Sequence, residues 1–170
     1  MARQLWLLRH AEAEPHGTRS DSERRLTPRG EAQASTAGIA LERMQAGFDA
    51  ILFSPKVRAK QTAELAGAEW SKEQRERLEV HPPLAGGFGV SQALARLADV
   101  PADGRLLLIG HEPDLSSVIG EITGGRVDLK KGGVGAVTLK GAGGELAVLL
   151  RPRELALIAG GVGGVPIDGD

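Results

Sequence analysis

Three short apolar runs punctuate an otherwise mixed chain: Leu5-Trp6-Leu7-Leu8, Ile51-Leu52-Phe53 and Leu106-Leu107-Leu108-Ile109. None alternates between apolar and polar positions, so each reads as a strand covered on both faces, as in the parallel sheet of an α/β fold. Between the first two lies Leu26-Thr27-Pro28-Arg29-Gly30-Glu31. Thr27 suits a helix N-cap, Pro28 the first helical position and Glu31 the first turn. Ala34, Ala37, Leu41 and Met44 then recur at helical spacing, and Gly47 closes the segment. Strand, helix and strand make a βαβ unit with a right-handed crossover. Further helices are predicted over residues 56–70 and 91–98 and after Pro113, the last with Asp114 near its start and Gly124 past its end. Residues 137–140 and 145–151, joined by Gly141-Ala142-Gly143-Gly144, read as an antiparallel hairpin at one sheet edge, and residues 155–158 as one more helical turn. The pattern predicts a single three-layer α/β domain over residues 1–158, its sheet mostly parallel with an antiparallel C-terminal edge hairpin. A Gly-rich tail, 159–170, is expected to be flexible. Neither internal repeats nor a domain linker stand out.

Composition narrows the chemistry. A chain of 170 residues fits one domain, and 41% hydrophobic against 25% charged residues can build a core. Lys plus Arg number 21 against 22 Asp plus Glu, a net charge of −1, which argues against a general nucleic-acid binder. The absence of Cys excludes disulfides, thiolate zinc sites, iron–sulfur clusters and a cysteine nucleophile together. Glycine, at 24 residues, is about twice as frequent as usual, with more than half of it beyond residue 119. No apolar run approaches the ~18 residues of a membrane span, and Arg9 and His10 interrupt the first apolar run too early for a signal-peptide core. A cytoplasmic protein with no membrane and no nucleic-acid partner is the expectation.

Two of the four histidines occupy matching places: His10 ends one apolar strand as Leu-Leu-Arg-His, and His111 ends another as Leu-Ile-Gly-His. Ligands of open α/β sheets bind outside the carboxyl ends of the strands, so the two imidazoles could face each other across one pocket. Each taken singly is equally a strand-end histidine held by local hydrogen bonds. Arg9 stands beside His10, and Arg58 opens the helix after Ser54-Pro55. Guanidinium groups bind phosphate in bidentate fashion, and helix starts after residues 55 and 113 would add backbone N–H groups, so these residues suit a phosphoryl pocket without a metal. Singly, Arg58 reads as a surface helix residue. Zinc fits poorly, because His111-Glu112-Pro113-Asp114 lacks the second histidine of a metalloprotease helix. The glycine clusters match neither the P-loop nor the dinucleotide spacing, no Gly-x-Ser-x-Gly elbow occurs, and no cofactor is implied.

Leu8-Arg9-His10-Ala11 resembles the Arg-His-Gly signature of the histidine phosphatase (phosphoglycerate mutase-like) superfamily. The likeness continues through Ser54-Pro55-x-x-Arg58-Ala59-x-Gln61-Thr62 and Gly110-His111-x-Pro113. Asp21-Ser22-Glu23-Arg24-Arg25-Leu26-Thr27 is similar to a segment of its small branch, the phosphohistidine phosphatases related to signal inhibitory factor X. The ordered set runs from residue 4 to about 151. The resemblance implies the phosphoglycerate mutase-like fold and a set of roles. His10 would be the nucleophile that forms a phosphohistidine intermediate, Arg9 and Arg58 would bind phosphoryl oxygens, His111 would stabilise their developing charge, and Arg24 would reach the same pocket. Ala11 replaces the signature glycine, and Arg25 stands where the small branch has Pro, either reshaping the loop or adding a cation at the rim.

Mutase-like members place a general acid in an inserted segment for which this chain is too short, and residues 82–89 hold no carboxylate. Glu12, Glu14 and Asp21 remain candidates, each also readable as a surface charge. An alkoxide leaving group needs a proton in the transition state, whereas a phosphohistidine leaves as a readily protonated imidazole. The expectation is therefore a metal-independent phosphatase that removes phosphoryl groups from phosphohistidine on a protein. A small-molecule phosphomonoesterase of the same mechanism and a non-catalytic phospho-ligand binding module are the alternatives. Lys130-Lys131 reads as a solvated loop that could also shape a protein-binding rim, and no feature bears on the oligomeric state.

Overall fold

A computed structural model of the chain describes residues 2–165. Six strands form one sheet in the order β3-β2-β4-β1-β5-β6. They are β1 (Gln4–Arg9), β2 (Ala50–Phe53), β3 (Leu78–Val80), β4 (Arg105–Gly110), β5 (Val134–Lys140) and β6 (Gly143–Leu150). The first four run parallel, with Leu5 opposite Leu106 and Leu52 opposite Leu108, while β5 pairs antiparallel with β1, and β6 with β5. The helices are α1 (Pro28–Arg43), α2 (Val57–Gly67), α3 (Lys72–Arg75), α4 (Val90–Ala98), α5 (Asp114–Thr123) and α6 (Pro152–Ile158). Short 3₁₀ turns at Asp21–Glu23 and Pro82–Ala85 complete the order.

The unbroken apolar runs are explained by the two cores. Leu5, Leu7, Leu52, Leu106 and Leu108 pack with Ala93, Leu97, Val118 and Ile119 of α4 and α5 on one face. Trp6, Leu8, Ile51, Leu107 and Ile109 pack with Ala37, Leu41, Ala63, Ala66 and Leu155 of α1, α2 and α6 on the other. Successive side chains of a strand point to opposite faces, so a strand buried on both must be apolar at every position. The result is the expected three-layer α/β domain, mostly parallel with an antiparallel β5–β6 edge.

Local signals hold at the helix ends. Thr27 accepts a hydrogen bond from the Gly30 N–H at 3.1 Å, with Pro28 at the first helical position, and Gly124 closes α5 in the left-handed conformation. Elsewhere the structure departs from the pattern. The second predicted helix ends at Gly67 instead of residue 70, and the hairpin turn shortens to Gly141 and Ala142 because Gly143 and Gly144 join β6. The edge strand β3 and the single turn α3 carry too few apolar positions to be seen in sequence. Of the tail, residues 166–170 lie outside the described residues. Ahead of them, Val162 O accepts weakly from Thr36 Oγ1 at 3.5 Å, and Gly163 lies against Thr36 of α1.

Candidate active site

Three neighbouring central strands end at one place. β2 delivers Ser54 and, one step on, Arg58; β4 delivers His111; β1 delivers Arg9 and His10. The two imidazoles lie 5.2 Å apart between ring centroids, tilted by 52°, and both are buried. They line a cleft of about 390 Å³ together with Arg9, Arg24, Arg58 and Asp21.

The backbone around His10 is held from several sides. The Ala11 N–H donates to Thr62 Oγ1 at 3.1 Å, the Glu12 N–H to Gln33 Oε1 at 2.9 Å, and the Leu26 N–H to Gln61 Oε1 at 2.8 Å. The motif residues Gln61 and Thr62 therefore fix loops, not ligand. On the other side, the Gly132 N–H approaches both the Arg9 and His10 carbonyls at 3.1 Å. Gly132 has φ +73°, and a Cβ there would meet Gln33 Cβ at 3.2 Å. One residue of the glycine excess thus supports the site directly.

The His10 tautomer follows from its partners. Its Nδ1 lies 2.7 Å from the Ala11 carbonyl, which can only accept, so Nδ1 carries the proton and Nε2 the lone pair. Arg58 Nε–H points at that lone pair from 3.4 Å. Burial, opposed by the Ala11 bond and reinforced by His111, Arg58 and Arg9, pushes the His10 pKa down to about 3. The ring is thus uncharged at neutral pH, as an imidazole nucleophile must be.

His111 is held by a residue that the sequence reading assigned no role. Its Nε2 lies 2.7 Å from Ser54 Oγ, which is fully buried and receives the Lys56 N–H at 3.3 Å. Among the described residues the Ser54 hydroxyl has no acceptor but His111, so it donates to Nε2 and leaves the proton on Nδ1. Burial first, then Arg58 and Lys56, pushes the His111 pKa down to about 3. His111 Nδ1 and Arg9 Nε are buried without a hydrogen-bond partner among the described residues, two donors suited to phosphoryl oxygens. Arg9 is anchored through Nη1 to the Leu129 carbonyl at 3.0 Å.

Arg24, expected at the pocket, is there, and so is Asp21. The Asp21 carboxylate accepts from Arg24 Nη2 at 2.9 Å, from Lys56 Nζ at 2.7 Å and from Arg58 Nη2 at 3.3 Å. Its backbone carbonyl accepts from Arg58 Nη1 at 2.6 Å. The Lys56 bond above all, then Arg24 and Arg58, holds its pKa far below the ordinary carboxylate range, so Asp21 is no proton donor near neutral pH in this arrangement. Of the other acid candidates, Glu14 is paired with Arg19 at 2.8 Å and Glu12 lies outside the cleft. Glu112 and Asp114, missed in sequence as pocket residues, line the cleft, yet both accept backbone N–H groups, from Ser116 at 2.9 Å and Phe88 at 3.0 Å. Lys56 and Lys131 are the other cations not anticipated there. The signal for Lys56 was its place between Ser54 and Arg58, at the mouth of a strand.

Among the described residues no group of three His, Asp or Glu side chains could hold a metal ion. The arrangement offers a neutral nucleophilic nitrogen, an imidazole N–H and several guanidinium and ammonium donors around one spot, a set suited to transfer of a phosphoryl group.

Comparison with known proteins agrees. The profile of the histidine phosphatase superfamily (branch 1) matches residues 5–84. An uncharacterised protein of Picosynechococcus is 32% identical over 170 residues, covering 89% of this chain and 98% of that protein. Among solved structures, the protein histidine phosphatase SixA complexed with tungstate superposes with a TM-score of 0.77 at 24% identity, over 89% of this chain and 99% of that one. A candidate SixA phosphohistidine phosphatase of Nakamurella multipartitia gives 0.73 at 28% identity, over 89% and 97%. The α-ribazole phosphatase of Shigella flexneri gives 0.69 at 23% identity, over 88% and 96%.

Proposed function

The chain belongs to the histidine phosphatase superfamily and is a phosphatase of that type, and from this premise we propose that it works through phosphorylated His10 and acts on phosphohistidine carried by a protein. The carrying observation is His10 itself, uncharged, with its ring proton tied to Ala11 O and its Nε2 lone pair facing Arg58.

In the first half-reaction the Nε2 lone pair attacks phosphorus in line. The P–N bond of the substrate breaks, and its electron pair goes to the leaving imidazole nitrogen, which takes a proton from solvent water. Arg9, Arg58 and Arg24 neutralise the equatorial oxygens, and the His111 Nδ1–H donates to one of them. Asp21 must yield some of its hydrogen bonds to Arg58 and Arg24 as the anion enters. In the second half-reaction a water oxygen attacks the phosphorus on His10 and loses a proton to solvent. The P–N bond breaks, inorganic phosphate leaves, and the electron pair returns to Nε2.

The substrate class is supported by the carboxylates. Asp21 is held ionised by three cations, Glu14 is paired with Arg19, and Glu112 and Asp114 accept backbone N–H groups. A leaving alkoxide would find no carboxylic acid ready to protonate it, whereas a leaving imidazole needs less help. SixA, a structural neighbour, is itself a protein histidine phosphatase.

The test is acid-labile labelling of the enzyme during turnover, with rates compared on a phosphohistidine protein and a panel of metabolite phosphates. Label on the wild type, none on His10→Ala, and preference for the phosphoprotein are expected. Preference for metabolite phosphates would overturn the substrate, turnover without label would overturn the intermediate, and binding of phosphate compounds without turnover would leave a binding module.

A further inference from the structure

A second groove, of about 730 Å³, adjoins the catalytic cleft and shares Arg9, Ala13 and Lys131 with it. Three separate parts of the fold bring cations to it: Arg29 from the start of α1, Lys130 and Lys131 from the loop before β5, and Arg151 and Arg153 from the start of α6. Among the described residues Glu12 is the only carboxylate in its lining. Arg29 pairs with Glu12 at 3.4 Å, Lys130 with Asp128 and Arg151 with Glu154. Lys131 and Arg153 have no carboxylate partner among the described residues. On a chain whose net charge is only −1, so one-sided a lining marks segregated charge.

The exposure of these groups indicates what they bind. The side chains of Arg29, Lys130 and Arg151 are 63%, 55% and 60% exposed. A small anion is held tightly by buried, converging donors, whereas these three cations stand in solvent. Long, solvated cations beside the apolar Ala13, Pro15 and Pro152 suit an extended acidic segment, drawn in by its charge and laid beside the cleft.

We infer that this groove docks an acidic segment of the protein substrate while the phosphorylated side chain occupies the cleft. The inference rests on the reading of the substrate as a phosphoprotein and adds how that protein is chosen. Arg9 and Lys131, common to both cavities, join the docked segment to the reacting group.

The experiment uses the full chain and fluorescein-labelled ten-residue peptides, each with a central His flanked by Glu, by Gln or by Lys. Anisotropy titrations should show the Glu peptide binding roughly tenfold more tightly than the Gln peptide, with the Lys peptide weakest. The variant Lys130→Glu with Arg153→Glu should lose roughly tenfold of the affinity for the Glu peptide. The milder Lys130→Gln with Arg153→Gln should lose less. Hydrolysis of free phosphohistidine should be unchanged in both, with circular dichroism as an independent check of folding. Equal affinity for the three peptides, or an unchanged preference in the variants, overturns the proposal. So does displacement of the Glu peptide by inorganic tripolyphosphate at concentrations far below the peptide's own Kd, which would make the groove a small-anion site. If the wild type hydrolyses no phosphohistidine compound, the reaction assigned above falls, while the peptide titrations still decide the groove.

Discussion

His10 and His111 differ in which ring nitrogen is occupied, and one neighbour decides each case. A carbonyl beside His10 Nδ1 leaves the lone pair on Nε2; a hydroxyl beside His111 Nε2 leaves an N–H at Nδ1. Ser54 is therefore a positioning residue. Ser54→Ala should lower kcat by roughly fivefold, in line with a lost hydrogen bond of about 1 kcal/mol, and Ser54→Thr should restore part of it. An unchanged kcat in Ser54→Ala would show that His111 needs no such support. The depressed pKa values also have a stability consequence. Each ring titrates near 3 when folded and near 6.5 when exposed, so between those values the unfolded chain binds protons that the folded chain does not. Their contribution is complete above about pH 6.5 and is lost as pH falls towards 3. Thermal unfolding measured from pH 7.5 down to 5 should show Tm falling more steeply in the wild type than in His10→Asn with His111→Asn. Equal slopes would contradict the assigned burial of neutral imidazoles.

At the scale of elements, α1 bears on both the sheet-end loop and α2, and two glycines make the approaches possible. A Cβ at Gly30 would lie 1.9 Å from the Glu12 carbonyl oxygen, two residues after His10, and one at Gly38 would lie 2.3 Å from the Ala66 carbonyl oxygen on α2. Both neighbours are backbone, so the helix or its partner must shift. Gly30→Ala and Gly38→Ala should each destabilise by about 1–3 kcal/mol in urea denaturation. Only Gly30→Ala should also reduce turnover at a temperature where both variants are folded, because it moves the backbone that carries His10. Equal activity in the two would show that the loop absorbs the shift.

Across the whole molecule, charge is distributed unevenly. Arg9, Arg24, Lys56, Arg58 and Lys131 outnumber Asp21, Glu112 and Asp114 in the cleft lining, an excess of positive charge that favours phosphate over a divalent cation. Phosphatase activity should therefore be unchanged by chelators, and a loss restored by one metal would overturn this reading. No helix among the described residues is long and apolar enough to cross a membrane.

Much of this was legible along the chain because its signals are local. A strand buried on both faces must be apolar throughout, which exposed β1, β2 and β4. Histidines just beyond two such strands mark the sheet edge where ligands bind, and Thr27, Pro28 and Gly124 announce helix ends through their own backbone preferences. What remained hidden depends on which strands become neighbours. The order β3-β2-β4-β1-β5-β6 sets Ser54 against His111 and Asp21 among Arg24, Lys56 and Arg58, and it gathers the starts of α1 and α6 and the 130–131 loop around one groove. The His111 tautomer, the pairing of Asp21 with Lys56 and Arg58 and a shared basic wall arise between residues tens of positions or more apart. Burial and long-range packing, which no local window of residues records, chose them.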